Sequence, residues 1–135
     1  WRQQREMDDA ARAEFLARFK AGGRGIGFAV LGGAFGEGVD LPGQRLVGAF
    51  IATLGLPPVS AANEQVRLRL EELFGEGYAY AYLVPGLTKV VQAAGRVIRS
   101  PEDRGTLHLI DDRYGRREVR ALLPAWWELS KPHAA

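Results

Sequence analysis

The chain has 135 residues, 47% of them apolar, enough for one domain with a core of its own. Its net charge is only +2 and it holds no cysteine, so disulfides and cysteine-ligated zinc or iron–sulfur sites are excluded from it. No apolar run approaches the roughly eighteen residues that a membrane span needs, and no signal-peptide pattern opens the chain. A cytoplasmic location is therefore expected, with no membrane partner. His108 and His133 stand apart and give no metal spacing. Of the 18 basic residues three are lysine (Lys20, Lys89 and Lys131), which leaves fifteen arginines. That bias suits phosphate contact, and also a plain solvated surface. Trp1 opens the chain as if in the middle of a domain, so a piece of a larger protein is expected.

Trp1–Gln4 is too short to establish a strand end. Asp8 or Asp9 caps a helix that runs to about Lys20, with Ala11, Phe15 and Phe19 on its apolar stripe and Gly22-Gly23 stopping it. The glycines of Gly22–Gly27 do not make a dinucleotide fingerprint. Phe28 and Val30 occupy the third-glycine positions, and the glycines precede a strand where they would have to follow one. Ile26–Leu31 is a nearly continuous apolar run, as in a strand buried on both faces. The glycine-rich loop Gly32–Gly43 follows, with Glu37 and Asp40 three apart. Two carboxylates so placed suit acid–base chemistry or a metal; they also suit fixing the loop and orienting nearby cations. Loops after parallel strands are where open α/β sheets bind ligands.

Leu46–Ala52 is a second buried strand, and Pro57-Pro58 a hard break. Ser60 or Asn63 starts a helix that buries Val66, Leu70, Leu73 and Phe74, ends at Gly75, and leaves Arg67, Arg69, Glu71 and Glu72 wet. Tyr78–Tyr82 alternates tyrosine with alanine and stays open between strand and helix. Pro85 suits the first turn of the next helix. Thr106–Ile110 is a strand with Asp111, Asp112 and Arg113 at its end, and a short helix lies near Arg116–Leu122. Trp126 and Trp127 cap the core. The domain spans 1–128 and residues 129–135 are loose tail. Alternating strands and helices give an α/β fold, a mainly parallel sheet with helices on both faces.

The most informative stretch is Val91–Ser100. On a helix, Gln92, Arg96 and Arg99 lie within about 60° of one another. Val90, Val91, Ala94, Val97 and Ile98 form the opposite, buried stripe. Gly95 beside the polar stripe costs about 1 kcal/mol against alanine, which calls for a packing or ligand reason. Two guanidiniums one turn apart suit a phosphate chain. Taken alone, Q-x-x-G-R-x-x-R fits a solvated helix face equally well.

Together, four stretches resemble the C-terminal RecA-like (P-loop NTPase-type) motor domain of DinG/XPD-type superfamily-two DNA helicases. G-G-A-F-G-E-G-V-D-L-P-G (32–43) is similar to that family's motif V, and Q-A-A-G-R-V-I-R-S (92–100) to its motif VI. D-R-G-T-L-H-L-I-D-D-R-Y (103–114) resembles the strand after motif VI, and L-P-A-W-W (123–127) the closing segment. The resemblance implies that Arg96 and Arg99 reach ATP on the N-terminal motor domain of the same parent chain, with Gln92 as the motif's leading glutamine and Gly95 between them. It implies that Glu37, Gly38 and Asp40 belong to the nucleotide-sensing loop. ATP and Mg2+ would be held mainly by that first domain, single-stranded DNA would be the track, and DNA repair the setting. Any iron–sulfur cluster would lie elsewhere in the parent protein. Gly36 and Thr88 depart from the family's usual residues, and the first departure removes a side-chain contact to DNA. There is no G-x-x-x-x-G-K-[ST] in the chain, so this segment alone is expected to be inactive. The alternative reading is a non-catalytic nucleotide- or nucleic-acid-binding α/β module.

Overall fold

The computed structural model describes residues 1–35, 41, 43–98 and 103–130. Helix α1 (Asp9–Ala17) begins where expected: the Asp8 carboxylate accepts from the Ala11 amide at 2.8 Å. It stops short of Lys20. Arg45 reaches across its far end, donating to the Phe19 and Leu16 carbonyls at 2.8 and 3.2 Å. A cation there offsets the negative end of the helix dipole. Strand β1 (Gly48–Ala52) follows, then helix α2 (Ala61–Phe74). The Ser60 hydroxyl caps α2 by accepting from the Asn63 amide, and Gly75 ends it in the left-handed conformation at φ 71°.

The tyrosine–alanine stretch is helical. Ala79–Leu83 forms a π-helical turn that runs directly into helix α3 (Val84–Ala94). Pro85 explains the wide turn. Proline lacks an amide hydrogen, and its ring clashes with the carbonyl four residues back. The Val84 amide instead reaches five residues back, to the Ala79 carbonyl. Strand β2 (Thr106–Ile110) pairs with β1 in parallel, Gly48 opposite Thr106 and Ala52 opposite Ile110. A 3-10 turn (Asp112–Gly115) and the single-turn helix α4 (Arg117–Arg120) close the described structure.

The core forms where α3 lies on the sheet. Leu87, Val90 and Ala94 of α3 meet Ile51, Leu54, Leu83, Tyr114, Val119 and Leu123. Val97 is also buried, and Val91 and Ile98 are partly buried, as the stripe predicts.

Several expectations need correction. Ile26–Leu31 is not a doubly buried strand. It makes one parallel bridge, Arg2 to Phe28, and Ile26, Phe28 and Val30 are largely exposed. Only one face of the β1–β2 sheet is covered among the described residues. Phe50 and Ile110 stand on the open face, where the Phe50 and His108 rings stack at 4.5 Å. Helix α1 does not cover that face, because Phe15 is used in an aromatic cluster with Trp1, Phe19 and Phe35.

Helix α2 leaves most of its apolar stripe uncovered, with Leu70 alone of the four expected residues half-buried. None of its residues is buried, and Val66, Leu73 and Phe74 are more than half exposed. Polar contacts set its rotation: the Tyr82 hydroxyl donates to Glu64 at 2.6 Å and the Gly77 amide to Glu71 at 2.7 Å. The Tyr82 hydroxyl, and after it the Arg67 guanidinium, hold the Glu64 carboxyl below its ordinary range. At the closing segment Trp127 packs on the core as expected, whereas Trp126 is 68% exposed. Of the expected tail, residues 131–135 lie outside the described residues.

Candidate nucleotide-facing site

The site is built around α3 and the segment that leads into the glycine-rich loop. Gly86, near the start of α3, lies against the loop after β1. A Cβ there would sit 2.7 Å from the Leu54 carbonyl oxygen, so only glycine allows this approach. Gly55 of that loop packs in turn on Leu31, the last residue of the apolar run. Gly32 follows with φ 73°, and the Lys89 stem lies directly over it. The entry to the glycine loop therefore touches the motif helix within one turn of Gln92.

Gln92 is exposed on α3 and Arg96 is half-buried just beyond it. The helix does not run through Val91–Ser100 as expected, since α3 ends at Ala94. The chain tightens there: the Arg96 amide bonds the Ala93 carbonyl at 3.1 Å and the Val97 amide bonds Ala94 at 2.9 Å. Bonds spanning three residues at a helix end satisfy carbonyls that an α-turn leaves free. Glycine, the poorest helix former after proline, sits at the break.

Gly95 has φ −62°, and a Cβ there would meet its nearest neighbours at 3.5 Å, an ordinary contact. Among the described residues neither backbone conformation nor packing requires glycine at this position. Arg99 of the second guanidinium position, and Glu37, Gly38 and Asp40 of the loop, lie outside the described residues, as does Gly36. The structure thus brings together Gln92, Gly95 and Arg96, with Lys89 and Gly32 beside them.

Sequence reasoning missed two features. A cavity of about 330 Å³ flanks Gln92, between Val84, Thr88 and Val91 of α3 and Leu122–Pro124 of the closing segment. The second is a clamp at the carboxyl ends of the two strands. Asp111 accepts two hydrogen bonds from the Arg113 guanidinium, at 2.8 and 2.7 Å, and Arg113 reaches the Thr53 hydroxyl at 3.4 Å. The Arg113 guanidinium keeps the Asp111 carboxyl well below the usual carboxylate range. Thr53 itself has φ 74°, a strained conformation for a β-branched residue. The acidic and basic residues were visible at the end of β2; their partner across the sheet was not.

Among the described residues no group of acidic or histidine side chains is arranged to hold a metal ion, and no helix is long and apolar enough to cross a membrane.

Comparison with known proteins fits this architecture. A family model described as the helicase C-terminal domain matches residues 1–130. The chain is 34% identical over 110 residues to the general transcription and DNA repair factor IIH helicase subunit XPD of Arabidopsis thaliana, covering 77% of this chain and 14% of that protein. It is 32% identical over 130 residues to the human regulator of telomere elongation helicase 1, covering 88% of this chain and 10% of the relative. It is also 34% identical over 96 residues to the ATP-dependent DNA helicase DinG of Photobacterium profundum, covering 67% and 13%. The chain thus spans about a seventh or less of the length of these relatives. Match and motif together place it: this chain belongs to the helicase C-terminal domain family, of the DinG/XPD type.

Proposed function

We propose that this chain is the second, RecA-like motor domain of an ATP-dependent DNA helicase, with Arg96 and Arg99 as its arginine fingers. The reading is carried by one observation: Gly95, which nothing among the described residues requires, separates an exposed amide from a half-buried guanidinium. An open glycine between two anion-seeking groups leaves room for a phosphate chain to approach. In this reading ATP with Mg2+ sits mainly on the N-terminal motor domain of the parent chain. Gln92 orients the triphosphate, and Glu37, Gly38 and Asp40 couple it to a single strand of DNA. Any iron–sulfur cluster belongs elsewhere in the parent, since this chain has no cysteine.

A preorganised guanidinium on developing γ-phosphoryl charge is worth about 10³–10⁵ in rate. That corresponds to roughly 4–7 kcal/mol of barrier. Arg96→Ala or Arg99→Ala in the full-length protein should abolish most DNA-stimulated ATP hydrolysis and leave ATP binding largely intact. Near-normal turnover in both variants would overturn the finger role. The isolated chain, which has no phosphate-cradling loop, should not turn over ATP in steady state.

A further inference from the structure

The turn Arg116–Arg120 gathers three arginines within five residues. Five arginines elsewhere lie beside carboxylates: Arg12 with Asp9, Arg18 with Glu14, Arg67 with Glu64, Arg69 with Glu72, Arg113 with Asp111. Arg116, Arg117 and Arg120 are all exposed and make no ion pair or side-chain hydrogen bond among the described residues.

The backbone that carries them is anchored. Val119 is 1% exposed and anchors the turn in the core, which leaves the arginines on the outer side. The Arg120 amide bonds the Arg116 carbonyl and the Ala121 amide bonds the Arg117 carbonyl, each at 3.0 Å. Arg116 and Arg120 are therefore helical neighbours, and so are Arg117 and Arg120. Like charges at these spacings repel and destabilise a helix. Glu118 is the single acid in this turn and makes no bond to any of the three. The turn also follows the Asp111–Arg113–Tyr114 clamp at the carboxyl end of β2.

Three neighbouring guanidiniums with no ion pair among the described residues fit a chain of phosphates better than one isolated anion. Each fork of donors matches one phosphate, and an unstructured strand can adapt its spacing to all three. We propose that Arg116, Arg117 and Arg120 form a contact surface for the sugar–phosphate backbone of single-stranded DNA. The proposal rests on the helicase reading above and names residues of its DNA track.

The test uses the full-length protein and its triple variant Arg116→Gln, Arg117→Gln, Arg120→Gln. Affinity for a fluorescent oligothymidylate is measured against salt concentration without nucleotide. Each lost phosphate contact lowers the log–log salt slope by about 0.7. The expected result is a slope shallower by about 2, with the wild-type slope restored when the three residues are lysine instead. An unchanged slope would overturn the proposal, as would an equal loss of affinity at every salt concentration. DNA-stimulated ATPase of the wild type, measured alongside, separates the two readings. If it is present and the slope is unchanged, only this surface is wrong. If it is absent, the motor reading fails and the slope still decides whether the surface binds DNA.

Discussion

The Tyr114 hydroxyl donates to the Thr53 carbonyl at 2.9 Å, and so ties the turn after β2 to the residue that follows β1. Thr53 is held at its positive φ by this bond, by its own amide on the Ile110 carbonyl at 3.1 Å, and by the Arg113 contact. Strain of this kind persists only where the surroundings over-determine it. Tyr114→Phe should cost about 1 kcal/mol in denaturant unfolding of the purified chain, the usual net worth of such a bond. Burial, and after it the Asp111 charge, pushes the Tyr114 phenol up to about 12. A raised folded value means its contribution is whole below the ordinary value near 10 and is lost as pH climbs toward 12. Alkaline unfolding monitored by tyrosine absorbance should therefore be less steep in the phenylalanine variant.

Asp111 sets the opposite limit. Its carboxyl is held well below the usual range by Arg113, so the stabilisation it provides is present above about pH 4 and is lost as acid protonates it. Asp111→Asn should remove that part of the acid dependence and lower stability at neutral pH. It leaves the half-buried Arg113 without its counter-ion. Parallel acid titrations of both proteins by circular dichroism check this; identical curves would contradict it.

Gly86 offers a packing test. Alanine there would bring a methyl group to within 2.7 Å of the Leu54 carbonyl, and a backbone atom cannot step aside as a side chain can. Gly86→Ala should destabilise the chain by about 1–3 kcal/mol, the usual cost of overpacking. It should also raise hydrogen exchange along Leu87–Ala94, because α3 must lift from the loop. A variant as stable as the parent would show that this contact is slack.

What could be read from the sequence was chiefly local chemistry. Asp8, Ser60 and Gly75 mark helix ends by bonds within a few residues, and all three act as read. Strand β2, the buried stripe of α3 and the short helix after Asp112 also follow from nearby pattern. The failures are tertiary. The rotation of α2 depends on Tyr82 reaching Glu64 from eighteen positions away, which no periodicity encodes. The burial of Ile26–Leu31 depends on what lies beside it, and hydropathy alone assigns it a neighbour on each side. At the candidate site, spacing alone puts forward Gln92 and Arg96. The end of α3 at Ala94 was not legible, because a glycine inside a helix is tolerated as often as it breaks one.

The π-helical turn at Ala79–Leu83 acts as a phase setting for everything after it. Each helical residue advances the bearing of its side chain by about 100°, so one residue more or fewer in that turn would swing the whole of α3 about its axis. Leu87 and Val90 would leave the core, and Gln92 would face a different quarter of the molecule. A length change among plain alanines and tyrosines would thus misdirect the motif while every one of its own letters stayed the same.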